Sequence, residues 1–227
     1  MRKILLTVAM AALVCLPAMA QFRGMGMGGD MGTTLLTIEG VQKELKLTDD
    51  QKKDIATATK ERNDATRKAF EDKDFESMPK AMEAYTKAMA KVKAGLKSEQ
   101  KKRLLGIEVQ VAEEKKTAPI FKNADVVKAL VLSDKQTDTV KELLSDNEKD
   151  AKELFEEAAG DRTKMRGIGQ KVQKMSAESF TKIFKGLSEK QLVAWKELKG
   201  DKFEVTFPKF GGFNPKGKGK EKKTDDL

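Results

Sequence analysis

From Thr34 to about Lys199 the apolar residues recur at helical spacing, and polar residues fill the positions between. Leu35, Leu36, Ile38, Val41 and Leu45 form one stripe, and the pattern restarts after Leu47-Thr48 in a helix from Asp49 to about Phe70. Pro79 suits the first turn of the next helix. In that helix Met82, Tyr85, Met89, Val92 and Leu96 step by three and four, the seam of a helix packed lengthwise on a partner. Gly95 ends it. A short helix carrying Leu104, Leu105, Ile107 and Val109 follows, and Glu113-Glu114-Lys115-Lys116 before Ala118-Pro119 closes the first half.

The second half writes the same pattern again. A shift of 85 places Val41, Leu45, Leu47, Gln51 and Phe70 on Val126, Leu130, Leu132, Gln136 and Phe155; a shift of 91 places Leu96, Gln100 and Leu104 on Leu187, Gln191 and Trp195. The six-residue difference points to an insertion around Ala158-Ala159-Gly160-Asp161. Val140, Leu144, Ala151, Phe155 and Ala158 line one long helix; Ile168, Val172, Met175, Ile183 and Leu187 line the next. Two tandem units follow, 34–117 and 118–200, each short helix, long helix, long helix, short helix. After Gly200 the period changes to two: Phe203, Val205 and Phe207 alternate with polar residues, so 201–210 is an extended arm. The Lys/Gly-rich residues 211–227 read as a disordered tail, and 21–33, rich in Gly and Met, as a flexible leader.

One five-residue pattern marks the helix starts. It is Leu47-Thr48-Asp49-Asp50-Gln51, then Leu96-Lys97-Ser98-Glu99-Gln100, Leu132-Ser133-Asp134-Lys135-Gln136 and Leu187-Ser188-Glu189-Lys190-Gln191. A hydroxyl three residues before Gln has capping-box spacing: the hydroxyl accepts from the N3 amide and the Gln side chain accepts from the N-cap amide. In the second copy Lys97 holds the hydroxyl position, which leaves its reciprocal cap in doubt.

Composition narrows the function. Residues 1–20 have a basic start, an apolar centre too short to span a bilayer and Ala18-Met19-Ala20, the form of a secretory signal cleaved after Ala20. The single cysteine, Cys15, leaves with it. The chain has no His, so the commonest general base and the commonest transition-metal ligand are both missing. No nucleophile constellation or phosphate loop is visible, and the expectation is a non-enzyme with no cofactor. The net charge of +9 is interleaved with acids rather than gathered on one face, unlike a nucleic-acid binder. Acid pairs such as Asp49-Asp50 and Glu113-Glu114 read as surface charge in a chain that is 36% charged. Met25, Met27 and Met31 could attract Cu(I) as soft ligands, but a flexible spacer is the simpler reading.

A secreted all-α chain with this repeat resembles the Spy/CpxP family of periplasmic LTxxQ proteins, on Leu47-Thr48 with Gln51, Leu132-Ser133 with Gln136, Leu187-Ser188 with Gln191 and the weaker Leu96 with Gln100. The resemblance implies an elongated bundle of helical hairpins, commonly a homodimer. It also implies ATP-independent binding of unfolded or partly folded envelope proteins, or restraint of an envelope-stress sensor. The family unit carries two motifs and this chain four, so the expectation is a monomer whose halves pack as an internal pseudo-dimer, or a homodimer of the chain. The alternative class is a non-catalytic scaffold of the cell envelope, and a copper-handling protein trails behind. Adaptable client contacts would suit Met78, Met82, Met89, Met165 and Met175, although helical spacing makes each a core candidate too.

Overall fold

The computed structural model describes residues 30–158 and 161–208; the expected signal segment, Met25 and Met27, and the Lys/Gly-rich tail lie outside them. The described residues are all-α, with no strand among them. In chain order the helices are α1 (Met31–Leu36), α2 (Glu39–Glu44), α3 (Asp49–Glu71), α4 (Met78–Ala94), α5 (Ser98–Lys115), α6 (Ala124–Leu130), α7 (Asp134–Glu157), α8 (Arg162–Lys185) and α9 (Glu189–Lys199). Short 3-10 turns at Phe75–Ser77 and Ala118–Lys122 precede α4 and α6. No described helix is long and apolar enough to cross a membrane.

Two differences from the sequence pattern stand at the start. The leader does not extend to residue 33: Asp30 caps α1 by accepting from the Gly32 amide, and Gly32, Leu35 and Leu36 are buried. The first apolar stripe is also broken into α1 and α2 at Thr37 and Ile38. Thr37 turns its hydroxyl back onto the Thr34 carbonyl at 2.7 Å, and Gln42 Nε2 donates to the Leu36 carbonyl at 2.8 Å, so the groups freed by the break are bonded from nearby.

Helices α3 and α4 pack as one antiparallel pair, and α7 and α8 as another. The first pair joins α1, α2 and α5 around Leu35, Leu36, Val41, Ile55, Tyr85, Met89 and Ile107. The second joins α5, α6 and α9 around Phe121, Val126, Leu144, Phe180 and Trp195. Farther along α7 and α8, Ala151, Phe155, Ala158, Ile168 and Val172 make a small third cluster. The six extra residues of the second half sit here. The excess lies in the helix, α8 having 24 residues against 17 in α4, and not in the connection before it, which is 158–161 against 72–77.

Helix α5 is longer than the short helix expected, at 18 residues, and it belongs to both main cores. Leu104, Ile107 and Val111, spaced i, i+3 and i+7, face the first core; Leu105, Val109 and Ala112 face the second. A helix apolar on two sides lacks the single stripe that signals a surface helix, so its length is hard to read from pattern alone. The third side, Arg103, Gly106 and Gln110, is covered from the far end of the chain. A Cβ at Gly106 would lie 2.9 Å from the carbonyl oxygens of Leu198 and Lys199, so only glycine admits α9 this close.

Candidate functional site

All four Leu-x-x-x-Gln copies sit at helix starts. Thr48, Ser133 and Ser188 are N-caps of α3, α7 and α9, and each makes the full reciprocal box. Thr48 is representative: its amide donates to Gln51 Oε1 at 2.9 Å while its hydroxyl accepts from the Gln51 amide at 3.2 Å. Before α5 the box is half made. The Lys97 amide donates to Gln100 Oε1 at 2.8 Å, but a lysine side chain has no acceptor to return. Leu47, Leu96 and Leu187 are buried, and Leu132 is half-buried against the second core.

The glutamines then do something a cap does not require. Gln51 and Gln100 exchange amide hydrogen bonds at 3.0 and 3.1 Å, and Gln136 and Gln191 do the same at 2.9 and 2.8 Å. The remaining donors reach backbone carbonyls in a matching way. Gln51 meets Gly95 and Gln136 meets Gly186; Gln100 meets Leu45 and Lys46, and Gln191 meets Val131. Each Oε1 accepts twice and each Nε2 donates at least twice, so the amides are saturated. Lys46 and Val131, 85 apart, both take left-handed φ, at 50° and 47°. For a β-branched residue that conformation is a real strain.

A second polar constellation is one that periodicity did not single out. Glu108 lies on α5 between its two apolar faces and is only 3% exposed. Its Oε2 accepts from Asn123 Nδ2 at 3.1 Å, and its Oε1 lies 3.7 Å from Lys93 Nζ. Lys93 is also held by Asp30 Oδ2 at 2.7 Å. Asn123 is the N-cap of α6, so this one carboxylate touches groups from α4 and the second half as well as its own helix. Gly32 presses on it: a Cβ there would stand 2.0 Å from Glu108 Oε1. Burial pushes the Glu108 carboxyl up to about 7, with the Asp30 charge adding and Lys93 and Asn123 opposing. Burial works against both of its neighbours' charges too, but the ion pairing wins: Lys93 is raised and Asp30 lowered from their ordinary values. The signal in the sequence was faint, a lone acid inside Ile107-Glu108-Val109.

Met31, the described member of the methionine triple, is half-buried and packs against both cores. Met78 and Met89 are buried, and Met82, Met165 and Met175 are half-buried. Among the described residues no three His, Cys, Asp or Glu side chains are grouped to hold a metal ion. Glu113 instead accepts from Trp195 Nε1 at 2.6 Å and pairs with Lys199, which pins α9 to α5.

Large apolar side chains exposed among the described residues are Phe70, Val131, Leu192 and Val193. The last three flank the Gln191–Val131 hydrogen bond. The same shifts place Lys46, Lys101 and Lys102, all exposed, at the corresponding positions of the first half. One motif pair is thus edged by lysines and the other by aliphatic groups. Comparison with known proteins returned no matching family model, no matching curated protein and no matching solved structure.

Proposed function

We propose that this chain is a non-catalytic, periplasmic protein of the Spy/CpxP type, built from two tandem helical-hairpin units, 34–117 and 118–200. In this reading it works as an ATP-independent chaperone or envelope-stress accessory that binds unfolded or partly folded envelope proteins. The observation that carries the reading is the occupation of all four motif glutamines with one another and with backbone carbonyls. A motif so engaged builds architecture and leaves function to surfaces. The repeat of the same bonds at shifts of 85 and 91 supports duplication of one unit, and the pairing of first motif with second and third with fourth supports an internal pseudo-dimer. The limited apolar exposure supports the second reading, an envelope scaffold that holds one partner.

Suppression of aggregation separates the two. At near-stoichiometric ratio the protein is expected to keep several unrelated, chemically unfolded proteins from scattering light, without nucleotide. Protection of none of them would leave the scaffold.

A further inference from the structure

After α9 the chain turns at Gly200, whose φ of 59° and ψ of −150° suit glycine alone, and runs back along α5 as an extended arm. Its side chains alternate: Phe203, Val205 and Phe207 are half-buried, while Lys202, Glu204, Thr206 and Pro208 are exposed. The three inward residues pack on the first core, although they follow the second half in sequence.

The arm is held through its backbone as much as through its side chains. Gln110 spans the end of α9 and the start of the arm: Nε2 donates to the Lys199 and Asp201 carbonyls at 2.7 and 2.8 Å, and Oε1 accepts from the Phe203 amide at 2.8 Å. Arg103 Nη1 donates to the same Asp201 carbonyl at 2.7 Å, and its guanidinium lies 5.8 Å from the Phe203 ring. Lys115 Nζ sits 3.5 Å from the centre of the Phe207 ring. Backbone bonds at one end, apolar contact at every second residue and cations over two rings constitute a way of holding an extended chain that asks little of its sequence. The side chains that do this belong to α5, not to the arm.

We propose that the face of α5 and the first core under residues 203–207 is a binding groove for extended polypeptide with apolar side chains at alternate positions. The chain's own arm fills it as an intramolecular competitor. An incoming segment of an unfolded protein displaces the arm, takes the Gln110 amide and sets its rings under Arg103 and Lys115. This rests on the chaperone reading and names the client's conformation and where it docks.

The test uses the full chain and a fluorescein-labelled peptide of residues 200–208. The Phe203→Ser/Phe207→Ser variant, with its arm weakened, is expected to bind the peptide at least ten-fold more tightly than the unaltered chain. Adding Gln110→Ala to that variant should weaken binding about ten-fold. A peptide with serine at 203, 205 and 207 should not bind. Equal anisotropy titrations for the variant and the unaltered chain overturn the proposal. In the unaltered chain, saturating peptide should also accelerate hydrogen exchange of the Phe203 amide without accelerating the amides within α5. A Phe203 amide that exchanges only with global unfolding overturns it independently of whether the variant folds. If the unaltered chain suppresses aggregation and the arm-weakened variant does so no better, the groove is refuted and the chaperone reading stands.

Discussion

Glu108 shows how much one side chain can carry. Its carboxyl is held near 7 in the folded protein against an ordinary value of 4.5. The folded state therefore binds the extra proton between those limits, and stability falls as pH rises from about 4.5 to about 7. The shift corresponds to about 3 kcal/mol over that window. Asp30, whose carboxyl is lowered, acts in a separate window, losing its contribution as pH falls below 4, and Lys93 acts only at high pH. Urea midpoints measured at pH 5 and pH 7.5 should thus differ in the unaltered chain, with the acid value higher. Glu108→Gln, which keeps an oxygen for Asn123 Nδ2, should remove most of that difference. In the sequence Glu108 is one acid among 36 Asp and Glu, and nothing in its neighbours marks it as buried. Its partners Asp30, Lys93 and Asn123 come from three separate stretches of chain. Gly32, placed in the leader by its glycine-rich surroundings, is glycine because a carboxylate oxygen occupies the space of its Cβ.

Between residues and the molecule stand the helix starts. The caps were legible because capping is local: Ser or Thr and Gln three apart find each other on one turn of backbone. The glutamine-to-glutamine exchange was not legible, since its partners are 49 and 55 residues apart. Gln100→Ala should destabilise the protein by about 2 kcal/mol, because it strands the Leu45 carbonyl in a buried place and removes the partly buried bonds to Lys46 and Gln51. In a double-mutant cycle, Gln51→Ala with Gln100→Ala should cost less than the sum of the two singles, by about 1 kcal/mol. Strict additivity in chemical denaturation would show that the pair is proximity without coupling. The pattern also overran the break between α1 and α2, where apolar residues continue on either side of a turn closed by Thr37 and Gln42. It shortened α5, whose two apolar faces blur into one another. The alternation of Phe203, Val205 and Phe207 was visible, but not the helix that receives them.

At the level of the molecule, α5 is common property of the two cores, and it is also the helix to which α9 and the arm are tied. Loss of either core strips one side of α5, so the halves should unfold together. The chain provides its own reporters: its one Tyr, Tyr85, lies in the first core and its one Trp, Trp195, in the second. Tyrosine absorbance and tryptophan fluorescence should follow the same urea curve. Ile107→Ala, which opens the first core, should lower both midpoints together, at a cost of about 2–4 kcal/mol. Separate curves for the two reporters would show that the cores melt on their own. Gly106 adds a consequence in time. The carbonyls of Leu198 and Lys199 rest where its side chain would be, and the Gln110 amide has no arm to hold until Phe203 arrives. A polypeptide delivered from its amino end keeps this central column bare along one flank until residues 198–203 have emerged. Premature termination anywhere before that point would leave a product with most of its helices and no way to seal them, an easy target for proteases.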